Sequence, residues 1–291
     1  MKLFDRNRSI SLPDFIDVIF CNDKSTWDLD KHLMEFYMEK PMVSACVMTF
    51  NNDDQIEDCL KNITWADETI VVDSFSTDKT VDICRNYTDR VYQRKWPGFK
   101  DQSNYTMSLA RYEWILFMDA DERITPELYN EIQTHLKDNS ADWSGFYFPR
   151  RILYLGRWIN HGNWYPAYDL RLYKKDKGCW VREPHAKIKL DGKAKYLKND
   201  MLHFSYRNLS HQLKTIDAYT DMSAGEMERK SVSFVTLQLI FRPFIRFIKG
   251  YFFKRGFMDG VPGFVAAVTT SFYVFMKYAK LKELRTKSSQ N

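Results

Sequence analysis

Short apolar runs alternate with amphipathic segments in the first half of the chain. Residues 42–50, 68–72 and 115–118 are rich in apolar and β-branched residues, which is typical of strands buried on both faces of a sheet. After a short connection, each run is followed by a stretch with apolar residues at helical spacing. The alternation predicts an α/β fold in which helices flank a mostly parallel, doubly wound sheet.

Polar residues stand just past the C-terminal ends of three predicted strands. They are Thr49 with Asn51, Asp73, and Asp119 with Asp121. The C-terminal ends of parallel strands share one edge of the sheet, where open α/β sheets bind ligands, so we expect these residues to form one site. Two Asp one residue apart in extended chain face the same way and can share Mg²⁺ or Mn²⁺. Taken alone, the last pair is equally typical of Asp caps in a strand-to-helix turn.

Two common nucleotide-binding motifs are absent from the sequence. No G-x-G-x-x-G follows the first predicted strand, and no G-x-x-x-x-G-K-[ST] occurs anywhere. Their absence disfavours a dinucleotide-dependent oxidoreductase and a P-loop NTPase. What remains is a site in which carboxylates and a divalent cation hold a nucleoside diphosphate.

The composition argues against some partners and sites but does not indicate a function. The net charge of +5 over 291 residues is too small to indicate nucleic acid as a partner. The five cysteines are widely spaced and form no C-x-x-C pair, which favours reduced thiols in a cytoplasmic setting over disulfides or a zinc site. Acidic residues interrupt every apolar stretch near the N-terminus, so we expect no signal peptide there.

The last third of the chain is helical in pattern, basic and rich in aromatic residues. Between Lys230 and Lys287 there are eleven basic residues and two acidic ones. A basic amphipathic segment with aromatic residues is typical of helices that lie in an anionic membrane interface. The uncharged run 261–276 is shorter than the roughly 20 residues that span a bilayer, so we predict no transmembrane helix. The alternative is a helical cap on the sheet whose basic residues face solvent.

An ordered series of motifs resembles family 2 glycosyltransferases of the GT-A fold, a Rossmann-like fold. Within that family the series is most similar to the lipopolysaccharide-core β-glucosyltransferase type. The first three motifs are Val43–Asn51, Trp65–Asp78 and Phe117–Arg123, the last of which contains the Asp-x-Asp (DxD) sequence. The later motifs are Gly162–Pro166, Leu170–Tyr173, Pro184-His185, Leu202–Tyr206, Arg242-Pro243, Gly256–Gly260 and Lys277–Lys280. The resemblance extends over residues 42–284.

The resemblance implies a domain organisation and an activity. Residues 1–40 would be an N-terminal extension, and residues 41–206 a GT-A catalytic domain with a nucleotide-sugar half (41–140) and an acceptor half (141–206). Residues 207–291 would be a helical membrane-associating region. The implied reaction is an inverting, metal-dependent transfer of a sugar from a nucleotide-sugar donor to a lipid-linked glycan, such as lipopolysaccharide core. It would take place at the cytoplasmic face of the inner membrane, with the protein peripherally bound.

The resemblance also implies roles for the residues at the sheet edge. Thr49 and Asn51 would line the base and ribose of the donor, and Asp73 would hydrogen-bond the base. Asp119 would lie near the ribose and the diphosphate and share the cation. Asp121 would be the principal ligand of Mg²⁺ or Mn²⁺. His203 would be a further metal or diphosphate ligand, with a hydrogen-bonded structural histidine as an equal alternative.

The general base is the least determined part of the site. An inverting transfer needs one carboxylate to deprotonate the acceptor hydroxyl. Relatives often carry an acidic residue at the two positions that Ala167 and Ala186 occupy in this chain. Glu183 and Asp169 are the remaining candidates, and Glu183 is preferred because it lies beside His185.

Two other functions stay open at this point. A nucleotidyltransferase with a similar sheet is disfavoured, because no glycine-rich loop with Lys or Arg follows the first strand. A membrane adaptor that keeps the nucleotide-sugar-binding fold without activity is kept open by Ala167 and Ala186.

Overall fold

The computed structural model describes residues 41–138, 142–181 and 186–288. From Pro41 onward the described residues form one compact unit. The predicted N-terminal extension, residues 1–40, lies outside the described residues, and so does the candidate base Glu183.

Four parallel strands form the first half of the main sheet, in the order β3-β2-β1-β4. Their register places Thr49 opposite Asp73 and Met48 opposite Asp119, so the three predicted strand ends do meet at one edge. The side chains of β1, β2 and β4 are almost entirely buried, because helices cover both faces of the sheet. The strands are β1 (Val43–Thr49), β2 (Glu68–Asp73), β3 (Val91–Gln93) and β4 (Trp114–Asp119).

Helices connect these strands and build an apolar core on each face. One core packs Ile56, Leu60 and Leu128 against alternate residues of β1 and β4, and the other packs Ile115 and Phe117 against Trp180. This is the helix-flanked sheet that the alternating pattern predicts. The helices are α1 (Ile56–Asn62), α2 (Thr80–Arg85), α3 (Phe99–Ser108) and α4 (Pro126–Asp138).

The second half of the main sheet adds antiparallel strands that the sequence pattern did not show. β8 runs antiparallel to β4, β6 runs antiparallel to β8, and β12 then runs parallel to β6 and antiparallel to β5. The last pairing sets His203 opposite Glu122 and thus beside Asp121. The strands are β5 (Glu122–Ile124), β6 (Gly145–Tyr154), β7 (Arg157–Trp158), β8 (Ala167–Lys174), β9 (Gly178–Val181), β10 (Lys187–Leu190), β11 (Ala194–Tyr196) and β12 (Met201–His203).

Three long helices complete the chain, as the sequence predicts. α7 packs against both α5 and α6, and Ala224, Val235, Tyr278 and Leu281 form the centre of this packing. The elements are α5 (Leu209–Arg229), α6 (Val235–Ile248), a π-helical turn (Lys249–Phe253), a 3₁₀ turn (Gly256–Asp259) and α7 (Gly260–Ser288). Within the described residues, none of the helices combines the length and apolar character of a membrane span.

A buried aspartate joins the helical region to the sheet domain. Asp259 is fully buried and accepts hydrogen bonds from the backbone N–H groups of Asn160 at 3.0 Å and His161 at 2.8 Å. The chain beside it is tightly packed: a Cβ on Gly263 would lie 2.0 Å from the carbonyl oxygen of Gly256. The Gly256–Gly260 motif therefore fixes the start of α7 on the loop that follows β7.

Candidate functional site

A cleft of about 770 Å³ opens at the C-terminal edge of β1 and β4. Its polar wall combines residues from the strand ends with residues from β6, β12 and the following loop. Its apolar wall consists of aromatic rings from α3, α5, α7 and the adjoining loops, which suit the flat face of a base or a sugar. The polar lining includes Thr49, Ser74, Asp119, Asp121, Arg150 and His203, and the aromatic lining includes Phe50, Trp96, Phe99, Tyr206, Tyr219 and Tyr273.

A buried arginine fixes the carboxylate of Asp119. Arg171 from β8 is 5% exposed and donates to Asp119 Oδ2 at 2.6 Å and to Glu122. Burial alone would lower the pKa of Arg171, but the carboxylates of Glu122 and Asp119 raise it, so the guanidinium stays charged. Glu122 is fully buried, and this burial raises its pKa despite the opposing charge of Arg171. The network holds one oriented carboxylate at the cleft floor.

Asp121 and His203 form the second polar feature of the cleft. Asp121 Oδ2 lies 3.2 Å from His203 Nε2. Burial would raise the pKa of Asp121, but the charge and hydrogen bond of His203, with Arg150 and Arg171, bring it below the ordinary value. His203 is 9% exposed, and its buried Nδ1 has no hydrogen-bond partner among the described residues.

The donor set at this point suits a divalent cation bound together with a diphosphate. Two ligand atoms next to each other around an octahedral cation lie about 3 Å apart, which is close to the spacing of Asp121 Oδ2 and His203 Nε2. Within the described ranges, no group of three or more His, Cys, Asp or Glu side chains forms a metal cage. Sites for Mg²⁺ typically use one or two carboxylates and leave other positions to water and substrate phosphates. Asp119, which is predicted to share the cation, pairs with Arg171 through Oδ2, and its contact to the cation stays a prediction.

The other residues predicted to contact the donor lie at the same edge of the sheet, but only one of them lines the cleft. Thr49 lines the cleft, and its hydroxyl donates to Asn52 Oδ1 at 3.2 Å. The side chain of Asn51 accepts a hydrogen bond from the N–H of Thr77 at 2.9 Å. Asp73 is fully buried and accepts from Ser76 and from Gln93 Nε2 at 3.0 Å. In this structure Asn51 and Asp73 hold the loops together, and their contacts to a base stay predictions.

A second, smaller cleft of about 360 Å³ adjoins the first. The two share Asp119 and Arg150, so a group bound in one lies next to a group bound in the other. The candidate base Asp169 lines this second cleft and is paired with Arg150 Nε at 2.7 Å. Trp180 and Tyr168 contribute aromatic surface. This arrangement suits an acceptor sugar beside a donor site.

Sequence reasoning missed several residues of the cleft. Arg150, Arg171 and Glu122 are not among the residues that the sequence predicts for the site, although both arginines line the clefts and Arg171 contacts Glu122. A charged residue inside the otherwise apolar Leu170–Tyr173 motif was the available signal, because a buried arginine needs a buried carboxylate partner.

Sequence comparisons with known proteins agree on one class of enzyme. The sequence model of glycosyl transferase family 2 matches residues 44–190. An uncharacterized glycosyltransferase of Rickettsia typhi is 27% identical over 260 residues, which are 84% of this chain and 88% of that protein. The lipopolysaccharide core biosynthesis glycosyltransferase LpsC of Rhizobium meliloti is 26% identical over 247 residues, 82% of this chain and 91% of LpsC.

A solved structure has a similar fold. It is the mannosyltransferase PcManGT from Pyrobaculum calidifontis in complex with GDP-Man and Mn²⁺, with a TM-score of 0.53 and 13% identity over 84% of this chain and 88% of that one. The predicted GT-A-like fold is confirmed, and so is the similarity to a glycosyltransferase of lipopolysaccharide core biosynthesis. Since the family match spans half of the chain, the protein belongs to glycosyl transferase family 2 and is a glycosyltransferase.

Proposed function

We propose that the protein transfers a sugar from a nucleotide-sugar donor, with inversion at the anomeric carbon, to a hydroxyl group of a lipid-linked glycan. The acceptor class is a cell-envelope glycan such as lipopolysaccharide core, in keeping with the similarity to LpsC. The observation that carries the proposal is the pair of adjoining clefts that share Asp119 at the C-terminal edge of the parallel strands. One cleft suits a nucleoside diphosphate and the other suits an acceptor sugar.

The residues of the first cleft have separate tasks in this reaction. Asp121 and His203 would hold Mg²⁺ or Mn²⁺, which would supply positive charge to stabilise the leaving nucleoside diphosphate. Arg171 keeps the Asp119 carboxylate in one orientation toward the donor. The acceptor oxygen forms a bond to the anomeric carbon as the bond to the diphosphate breaks, and the hydroxyl proton passes to a carboxylate.

Transfer into lipid tests the acceptor class. Membranes incubated with the purified protein and radiolabelled UDP-, GDP- and dTDP-sugars should gain label in the fraction that organic solvent extracts. Label that remains only in water-soluble products would contradict a lipid-linked acceptor.

The general base is predicted to be Glu183 rather than Asp169. The guanidinium of Arg150 already engages the carboxylate of Asp169 at 2.7 Å, which makes that group poorly suited to accept a proton. Glu183→Gln should lower kcat by about 10²–10⁴-fold with little change in the KM of the donor. Asp169→Asn is the matched variant and should have a much smaller effect. Steady-state kinetics of both variants measure these effects. If Glu183→Gln changed only the KM of the donor, the assignment of Glu183 as the general base would be rejected.

We further propose that the helical region binds peripherally to the cytoplasmic face of the inner membrane. Large apolar side chains are exposed on α6 and the residue before it, on the π-helical turn and at the start of α7. Among them are Phe234 (79% exposed), Phe244 (68%) and Phe253 (80%). Basic residues stand between them along the same segment. Such a surface suits the boundary between anionic headgroups and acyl chains.

Loss of two exposed phenylalanines should weaken membrane binding. Phe244→Ser combined with Phe253→Ser should reduce binding to phosphatidylglycerol vesicles by about 100-fold or more, because burial of each aromatic ring in lipid contributes about 1.5–3 kcal/mol. Leu213→Ser is the matched control, since Leu213 is 50% exposed but lies on α5. Cosedimentation measures the effect, and unchanged binding of the double variant would refute the interface.

A further inference from the structure

Four cations line a groove of about 500 Å³ between α6 and α7. Arg242, Arg246 and Lys249 come from α6 and the turn that follows it, and Lys277 comes from α7. The first three recur at the spacing that brings residues to one face of a helix. Across the described part of the chain, none of the four lies within ion-pair distance of a carboxylate. We call this cavity the basic groove.

Other basic residues in the same region do have acidic partners. Lys280 contacts Asp217 at 2.7 Å and Asp221 at 2.8 Å, although it lies only three residues after Lys277. Arg285 contacts Glu228, and Lys287 contacts Glu283. α5 thus supplies carboxylates to the C-terminal end of α7 but not to the basic groove. Lys254, Arg255 and Lys282 also lack an ion pair among the described residues, but they do not line this cavity, where four such cations meet.

Two of the cations in the groove lower the pKa of a third. Burial lowers the pKa of Lys277, and the charges of Arg242 and Arg246 lower it further. Burial also lowers the pKa of Arg246. An anion in the groove would relieve this repulsion, so the groove favours a ligand with more than one negative charge.

The position of the groove restricts the kind of anion. Ile245, which lines the groove, is 60% exposed, and Phe241 and Phe244 beside it on α6 are 55% and 68% exposed. Tyr273 of α7 lines both the basic groove and the first cleft, at the edge of the sheet, which we call the catalytic cleft. A ligand held there by its anionic group therefore has apolar protein surface on one side and the transfer site on the other.

We propose that the basic groove binds the phosphate or diphosphate group of an amphiphilic lipid and thereby positions a phosphorylated lipid-linked acceptor at the catalytic cleft. Guanidinium and ammonium groups together suit phosphate oxygens, because Arg donates in a fork and Lys acts as a compact charge. At about 500 Å³ the groove has room for a single headgroup rather than for the repeating backbone of a nucleic acid. This inference rests on the proposed function, since it names the chemistry of the acceptor.

Vesicle binding by charge-matched variants tests the proposal. The groove variant is Arg246→Gln with Lys277→Gln, and the control is Lys254→Gln with Lys282→Gln, two exposed residues outside the groove. Both variants lose the same formal charge, so diffuse attraction falls equally. The vesicles are phosphatidylcholine with either phosphatidic acid or, at equal charge, oleic acid. Thermal unfolding of both variants checks that each is folded.

The wild-type protein should prefer the phosphatidic acid vesicles over the oleic acid vesicles. The groove variant should bind them about 10- to 30-fold more weakly than the control variant, because it also loses its hydrogen bonds to the phosphate. It should lose the preference for phosphatidic acid, whereas the control should keep it. Equal losses in the two variants would overturn the proposal, because they would show diffuse attraction only. Full competition by millimolar pyrophosphate, with no preference between the vesicles, would also overturn it in favour of a soluble phosphate ligand.

The outcome is independent of catalysis. Vesicle binding requires no donor, whereas the proposed function is judged by nucleotide-sugar turnover of the wild-type protein. A protein without turnover that still shows a groove-dependent preference for phosphatidic acid would refute the transferase proposal and leave the groove as a lipid-phosphate site.

Discussion

Asp121→Ala should lower the rate of sugar transfer by about 10²–10³-fold, the cost typical of removing one group that stabilises charge in a transition state. Asp121 lines the cleft, and its carboxylate oxygen lies 3.2 Å from His203 Nε2, at a spacing that suits a shared cation. Without it the cation loses its charged protein ligand, and the charge on the leaving diphosphate is poorly neutralised. The fold should tolerate the change, because the side chain is 25% exposed.

Two measurements separate a catalytic defect from a general one. Asp82→Ala is the matched control, since the Asp82 side chain on α2 is 82% exposed and its variant should keep wild-type turnover. Isothermal titration of Mn²⁺ in the presence of a nucleoside diphosphate should show weakened cation binding only in Asp121→Ala. Wild-type transfer rates in Asp121→Ala would disprove its role as the principal metal ligand.

Arg171→Met should lower the free energy of unfolding by about 3–5 kcal/mol, the range measured when one partner of a buried ion pair is removed. Arg171 is 5% exposed and contacts both Glu122, which is fully buried, and Asp119. Methionine fills much of the same volume but leaves the Glu122 carboxylate in the interior without its main counter-charge. Arg150, at 3.4 Å from Glu122, compensates only in part.

A double variant identifies the cause of this destabilisation. Arg171→Met combined with Glu122→Gln should recover a large share of the lost free energy, because the second change removes the uncompensated charge. Arg111→Met is the control: Arg111 contacts Glu68 at 3.5 Å, but its side chain is 71% exposed, so its loss should cost little. Urea unfolding gives the free energies of both single variants, the double variant and the control. Additive effects of the two substitutions would show that the ion pair is not what stabilises this part of the sheet.

The parallel half of the fold follows from local sequence patterns, whereas the second half does not. The apolar runs that end in Thr49, Asp73 and Asp119 predict buried parallel strands, and their polar ends do meet at one edge. The antiparallel pairings of β8 with β4 and β6 join residues far apart in the chain, and no periodicity specifies such partners. Arg171 reaches the site only through these pairings, which is why its role was not assigned.

The direction of a side chain was harder to predict than the position of its backbone. Asn51 and Asp73 lie at the expected edge, but hydrogen bonds to Thr77 and Ser76 turn their side chains toward the loops. Such short polar side chains often satisfy nearby backbone groups, and strand spacing alone does not reveal this competition. Their contribution to base recognition stays a prediction.

Which basic residues in the last third of the chain have acidic partners could be seen only in the structure. The excess of basic residues after Lys230 indicated a membrane surface, but the count did not include the carboxylates of α5. Asp217, Asp221 and Glu228 neutralise Lys280 and Arg285, so much of the apparent excess is paired. Four of the seven basic residues that have no ion pair among the described residues line the basic groove, beside the exposed phenylalanines of α6.

Release of nucleoside diphosphate from a donor panel tests the proposed transferase activity most directly. The purified protein is incubated with UDP-, GDP- and dTDP-sugars and Mn²⁺, together with membranes that supply the acceptor, with and without a chelator. The expected result is release from one class of donor, which the chelator suppresses and added Mn²⁺ restores. No release from any donor would favour the inactive adaptor, and release that the chelator leaves unchanged would contradict the metal-dependent mechanism.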